Sequence, residues 1–296
     1  MKKKLWALLL ALSLTLSLAA CGGNSSNSGS STAPPAESNQ NTTSDDGADI
    51  SDAAAESDLA YVQGKGVLVV GMTDFAPMDY RDADGKWIGF DADMATAFAE
   101  SLGVKVEFQE ITWDYKVMEL DAKSIDCVWN GMTLNDEVKA AMDTGAPYSL
   151  NAQVLVVPTE KAADFENLTT LEGLNVAVES GSAGEDAAEA LGASTTAVAK
   201  QADALMEVSA GTADAAVIDL LMAGAMIGEG TNYANLTHTV NLNAAQGLES
   251  EEYGVGFRKG SDLVSAWNEF WAAAIADGTV LETGTTYGVQ ESLILE

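Results

Sequence analysis

Apolar and polar positions from residue 59 onward follow two different periods. Val67-Leu68-Val69-Val70 is a continuous apolar run ending at Gly71, the pattern of a strand buried on both faces. Met94, Phe98 and Leu102 then recur every fourth residue, which puts them on one face of a helix. Asp91 is the expected cap of that helix and Gly103 its stop. Val104 to Phe108 reads as the following strand. Between Tyr80 and Trp87-Ile88 lies Asp82-Ala83-Asp84-Gly85, which predicts a hairpin turn. The later glutamate that would make it a calcium loop is missing. A further helix is expected from Asp262 to Asp277, with Trp267 and Trp271 one turn apart in the core. Short strands alternating with amphipathic helices predict an α/β fold.

One segment occurs twice. Met118-Glu119-Leu120-Asp121-Ala122-Lys123-Ser124-Ile125-Asp126-Cys127-Val128 is similar to Met206-Glu207-Val208-Ser209-Ala210-Gly211-Thr212-Ala213-Asp214-Ala215-Ala216, 88 residues further on. Each copy reads as a helix end, a tight turn holding an aspartate, and a buried strand. Val67–Gly71 and Asn175–Val178 likewise each open a strand–loop–helix unit. Two copies of one unit predict two similar α/β lobes rather than one large sheet. In open α/β sheets ligands bind beyond the carboxyl ends of strands. The repeated strands end at Asn130-Gly131 and Ile218-Asp219, so a ligand is expected in the cleft between those ends.

The start of the chain is patterned differently. Lys2-Lys3-Lys4 precede an apolar run from Leu5 to Ala20, the form of a secretory signal and short for a membrane span. The run ends in Leu18-Ala19-Ala20-Cys21, which resembles the bacterial lipobox, where the cysteine thiol takes a diacylglycerol. Residues 1–20 are therefore expected to be a lipoprotein signal peptide, with Cys21 as the lipidation site. Residues 22–44 hold no aromatic residue and nothing aliphatic beyond alanine, so they cannot bury enough apolar surface to offset their ordering entropy. Residues 21–58 are expected to form the lipidated cysteine and a disordered tether.

Composition narrows the functions. The 296 residues carry a formal charge of -31, which disfavours nucleic acid as a partner and a basic surface held on anionic lipid. One histidine and two cysteines leave no His-rich metal site and no disulfide framework. His238 is expected at the surface, and Cys127 as a packed thiol. No metal and no cofactor are expected.

Six motifs, in order, resemble the bacterial extracellular solute-binding proteins of the amino-acid ABC importer family (family 3, type II periplasmic-binding-protein fold), in lipoprotein form. They are Phe75-Ala76-Pro77-Met78-Asp79-Tyr80, Gly89-Phe90-Asp91-Ala92-Asp93-Met94, Asn130-Gly131-Met132-Thr133, Glu179-Ser180-Gly181-Ser182, Ala213 to Asp219, and Tyr253 to Gly260. The resemblance implies two α/β lobes joined by a two-strand hinge, with crossings near Gln153–Val157 and Glu252–Gly256. Lobe one would then hold residues 59–154 and 255–296, and lobe two residues 155–254. It also implies a monomeric binding protein rather than an enzyme, outside the cytoplasm on a lipid anchor. Its partners would be an amino acid or related small polar or amine ligand and an ABC permease. A sensor that signals through a partner and a dehydratase-like enzyme are the competing functions.

The resemblance also assigns residues. Asp219 matches the family's ammonium-binding aspartate, with capping of the next helix as the competing role. Ser182 and Ala183 open a helix whose free N–H groups can receive a carboxylate; simple capping by Ser182 is compatible with that. Asn130, Gly131 and Thr133 match positions that contact the ligand headgroup. Phe75 and Trp113 match aromatic walls, and Met78 and Glu179 are candidates for specificity. One departure stands out: the family has an arginine five residues beyond Thr133, and here that position is Val138. Arginine gives two-point recognition of a carboxylate that neither valine nor a displaced Lys139 reproduces. The expected ligand is then an amine without a carboxylate, an amino acid held by Lys139, or one held weakly by Ser182 and Thr133.

Overall fold

A computed structural model describes residues 57–247 and 250–296. The expected signal peptide, Cys21 and nearly all of the expected tether lie outside the described residues. The folded body starts slightly earlier than the pattern suggests. Ser57 caps helix α1 (Asp58–Lys65), its Oγ accepting from the Ala60 N–H at 2.9 Å. Asp58 is paired with Arg258 at 2.9 Å, which ties the start of the body to its far end.

Lobe one follows in the order β1 (Val67–Met72), the hairpin β2 (Tyr80–Arg81) and β3 (Trp87–Ile88), α2 (Phe90–Ser101) and β4 (Lys105–Glu110). A 3-10 turn (Trp113–Tyr115) leads into α3 (Lys116–Asp121), β5 (Cys127–Thr133), α4 (Asp136–Ala141), β6 (Asp143–Thr144) and β7 (Ser149–Asn151). Lobe two holds β8 (Gln153–Pro158), α5 (Ala162–Phe165), β9 (Asn175–Glu179), α6 (Ala183–Ala190), β10 (Ser194–Val198) and α7 (Gln201–Ala210). It continues with β11 (Ala215–Asp219), α8 (Leu220–Met226), β12 (Leu236–Asn241) and α9 (Leu242–Ala245). The chain returns to lobe one as β13 (Glu251–Phe257), α10 (Leu263–Ala276) and α11 (Thr279–Tyr287).

The sheets share one plan. Lobe one orders its strands β4-β1-β5-β13-β6, with β7 also on β13; lobe two orders them β10-β9-β11-β8-β12. In each, three parallel strands are followed by an antiparallel one, β13 or β8. The repeated segments occupy matching places, since β5 begins at Cys127 and β11 at Ala215. Apolar side chains cover both faces of each sheet. In lobe one, Phe98, Trp129, Trp267 and Trp271 fill one face, while Ile111, Leu120, Ile125 and Met142 fill the other. Trp267 and Trp271 stack with centroids 5.1 Å apart, as core packing requires.

The crossings lie elsewhere than expected. The ladders place β8 wholly in the second sheet and β13 wholly in the first. The chain therefore crosses at Ala152, between Asn151 and Gln153, and again ahead of Glu251. Glu251 pairs with Asn151, so the crossings lie side by side. Continuous apolar runs such as Val154–Val157 fit a buried sheet strand as well as a crossing, and only the hydrogen bonds separate the two. Asp91 also differs from expectation. It lies inside the first turn of α2, with Gly89 at the cap position. Its buried carboxylate instead accepts from the Gly131 N–H and the Tyr148 hydroxyl, both at 2.7 Å.

Candidate functional site

A cavity opens between the lobes at the carboxyl ends of their strands. Phe75 follows β1, Trp113 lies on the 3-10 turn, Asn130 to Thr133 end β5, and Val138 lies on α4. From lobe two come Glu179 at the end of β9, Ser182 and Ala183 at the start of α6, and Asp219 at the end of β11. All of these except Met132 are residues that the sequence assigns to the site. Met78, the other specificity candidate, is fully buried in the core of lobe one and does not line the cavity. Its contribution is its carbonyl, which accepts the Asp91 N–H at 2.9 Å.

Asp219 lines the cavity and is almost wholly buried. It occupies the cap position of α8 but makes no side-chain capping bond, so the competing role is absent. Oδ1 accepts from Gln153 at 3.0 Å, from the Tyr253 hydroxyl at 2.7 Å and from Asn151; Oδ2 accepts from Gln201. The backbone N–H of Asp219 in turn donates to Gln201 Oε1 at 2.9 Å. Burial and the nearby Glu251 charge push its pKa up to about 7, against the pull of those donors. Glu179 is pushed up to about 8 by burial and by the charge of Asp219, with Lys116 opposing.

The lobe-one side of the cleft combines an aromatic wall with polar and charged side chains, Asp114, Lys116, Thr133 and Glu137 among them. Gly131 has φ +54°, and a Cβ there would sit 2.4 Å from the Phe75 ring, so glycine lets the strand end approach the aromatic wall. Phe75 meets Tyr253 edge-on at 6.4 Å. Thr133 Oγ1 donates to Glu251 Oε2 at 3.1 Å. Asn130, expected to contact a ligand, has its side chain engaged elsewhere. Its amide donates to the Thr73 carbonyl and to Asp79, and its Oδ1 accepts from the Thr73 N–H and hydroxyl. That uses the whole capacity of an amide and locks β5 to the loop after β1.

Sequence reasoning missed Lys116 and Gln201, and with them the lining acids Asp114, Glu137 and Asp186. Lys116 stands one turn beyond Trp113, 5.0 Å over its ring, and donates to the Gly181 carbonyl of the other lobe at 3.0 Å. Gln201 opens α7 just beyond the end of β10, a position where the strand-end rule could have flagged it. Ser182 does cap α6, accepting from the Glu185 N–H at 3.1 Å, while it also lines the cavity. The lobes meet here: a Cβ on Gly181 would sit 2.9 Å from Asp114 Cα, and Lys200 pairs with Glu110 across the cleft. Lys139, considered as a substitute for the arginine, is exposed on α4 and borders a neighbouring groove instead.

Two sheets of one plan, a double crossing and a polar cavity at facing strand ends define a two-lobed binding protein. The chain belongs to the bacterial extracellular solute-binding proteins, family 3, whose pattern matches residues 68–290. It is 27% identical over 238 residues to the L-cystine-binding protein TcyJ of Escherichia coli K12, covering 79% of this chain and 87% of that one. Cyclohexadienyl dehydratase of Pseudomonas aeruginosa is 30% identical over 140 residues, 46% of this chain and 52% of that one. Among solved structures, Tv2483 bound to L-arginine superposes with a TM-score of 0.71 at 26% identity, over 80% of this chain and 97% of that one.

Proposed function

We propose that this protein is the ligand-capturing component of an ABC importer. It takes an amino acid or a related small amine between its lobes and delivers it to a membrane permease. One observation carries the reading: a buried carboxylate, Asp219, ends a strand in the cleft without capping the helix that follows. A ligand ammonium there gains charge-assisted hydrogen bonds, and Phe75 and Trp113 supply apolar walls. Relatives that bind cystine and arginine support an amino-acid-like ligand. Binding rather than catalysis is favoured because neither His238, exposed on β12, nor the buried Cys127 lines the cavity.

The rest of the assignment follows from the sequence. Lipid on Cys21 holds the protein on the outer face of the cytoplasmic membrane, with the expected tether of residues 21–58 shortened at its end by the Ser57 cap and α1, and one chain as the working unit. Closing of the lobes over the ligand presents the surface that a permease reads. Titration calorimetry of the chain against the standard amino acids and simple amines tests the reading. Saturable binding of at least one, lost in Asp219→Ala, is expected. Binding by none, or binding unchanged in the variant, contradicts it. Mass spectrometry of membrane-extracted protein tests the anchor, with a diacylglycerol on Cys21 expected.

A further inference from the structure

The charged groups lining the cavity are Asp114, Glu137, Glu179, Asp186, Asp219 and a single cation, Lys116. That cation spends two of its three N–H donors on protein carbonyls, and the charges of Asp114, Glu137, Glu179 and Asp186 act on it. Its Nζ is bonded to the Gly181 carbonyl at 3.0 Å and approaches the Trp113 carbonyl at 3.4 Å. Glu179 is only 3% exposed, and among the described residues its Oε1 has no hydrogen-bond partner. A buried carboxylate oxygen left unpaired is costly unless a ligand satisfies it. Asp219 Oδ2 takes one donor, from Gln201, and keeps acceptor capacity for another. Two buried carboxylates thus await cationic donors in one cavity.

The opposite chemistry is scarce. Neither arginine reaches the cavity: Arg81 lies over the Trp87 ring, and Arg258 is tied to Asp58 and to the carbonyls of Leu120 and Ile125. At the start of α6 a protein carboxylate already occupies one donor, since the Gly181 N–H is bonded to Glu185 Oε2 at 2.7 Å. Asp186 in the same turn, and Glu137 facing it, repel a further anion. Thr133 donates its hydroxyl to Glu251.

Resting on the reading of this cleft as an amino-acid or amine site, we infer that it selects a small dication without a carboxylate. Asp219 holds one cationic end, Glu179 holds the other, and Glu179 is the residue that sets the preference. The ligand class is an aliphatic diamine or a guanidino amine.

Matched pairs that differ only by a carboxylate test this. The full chain is titrated calorimetrically with lysine and cadaverine, arginine and agmatine, and ornithine and putrescine. In at least one pair the amine is expected to bind about tenfold or more tightly than its amino acid, with no pair reversed. Glu179→Gln is expected to weaken that amine about tenfold or more, and a monoamine of the same length by several-fold less. An amino acid that binds as tightly as its amine overturns the inference and leaves the amino-acid reading standing. Equal loss of diamine and monoamine in the variant overturns the role of Glu179. Binding by none of the six overturns the inference as well, and the wider ligand panel with Asp219→Ala then judges the amino-acid reading separately. The comparison of pairs uses the unaltered chain, so it holds whether or not the variant folds.

Discussion

The two copies of the repeated segment use the same turn for different ends. In lobe one, Asp126 Oδ2 accepts from the Val69 N–H at 2.7 Å; in lobe two, Asp214 Oδ2 accepts from the Asn175 N–H at 3.0 Å. Each aspartate N–H also donates to the carbonyl of that same partner residue, fixing β5 beside β1 in lobe one and β11 beside β9 in lobe two. Asp126, however, is fully buried and paired with Lys65 at 2.6 Å and Arg258 at 3.7 Å, whereas Asp214 is exposed. Five residues further on, the copies diverge completely. Position 131 is a glycine pressed against Phe75, and its counterpart 219 is a carboxylate that lines the cleft. One skeleton therefore carries two different strand ends, a glycine that shapes the aromatic wall in lobe one and a buried carboxylate in lobe two.

Breaking each copy separately sharpens that contrast. Asp126→Ala removes a buried carboxylate that partners Lys65 and the buried Arg258, and is expected to cost about 3 kcal/mol of unfolding free energy in urea. Asp214→Ala removes an exposed turn bond and is expected to cost about 1 kcal/mol in the same assay. Similar losses from the two would erase the distinction. Between these values falls Gly131→Ala, at about 2 kcal/mol, because the new Cβ overlaps the Phe75 ring at a positive φ. Its binding should weaken too, since the wall moves.

The acids of the two lobes also differ from surface acids in their pH response. Burial pushes Asp91 and Asp219 up to about 7 and Glu179 up to about 8. The folded chain then keeps protons that the unfolded chain releases near pH 4. This contribution to stability is complete below about pH 4 and is lost as the pH rises through 7 to 8. The melting temperature of the ligand-free protein is expected to fall between pH 5.5 and pH 8. The groups facing Glu179 are Asp219, Lys116 and Asp203, and Glu251 faces Asp219, so neutralising Glu179 by Glu179→Gln should flatten part of the slope. A smaller effect is expected from Val138→Arg. This restores a cation at the cavity and should raise affinity for amino acids several-fold in calorimetry.

Much of the fold was legible because its signals are local. The helix expected from Asp262 to Asp277 is observed as Leu263–Ala276 with those two aspartates as its caps. The hairpin at Asp82–Gly85 forms as expected, with Asp82 Oδ1 accepting from the N–H groups of Asp84 and Lys86 at 2.9 Å. The repeat gave the common sheet plan because it spans a whole helix–turn–strand unit. The cavity lining was legible where strand ends carry it, as at Gly131 and Asp219. What escaped depends on the lobes meeting. Lys116 matters through a carbonyl 65 positions away in sequence. The donors to Asp219 from Asn151, Gln153 and Tyr253 converge only where the two crossings lie side by side. Asn130 looked like a ligand contact, and only the position of Thr73 and Asp79 reveals its locking role.

The central claim is that lobe two's carboxylate captures the cationic end of the ligand. The most direct test is calorimetric titration of the best-binding ligand into the chain and into Asp219→Asn, with matched melting curves to verify folding. The account predicts that the near-isosteric amide loses affinity by about 30-fold or more, because a buried charge pair is replaced by a neutral contact. Affinity within threefold of the original, in a variant that melts normally, would contradict it.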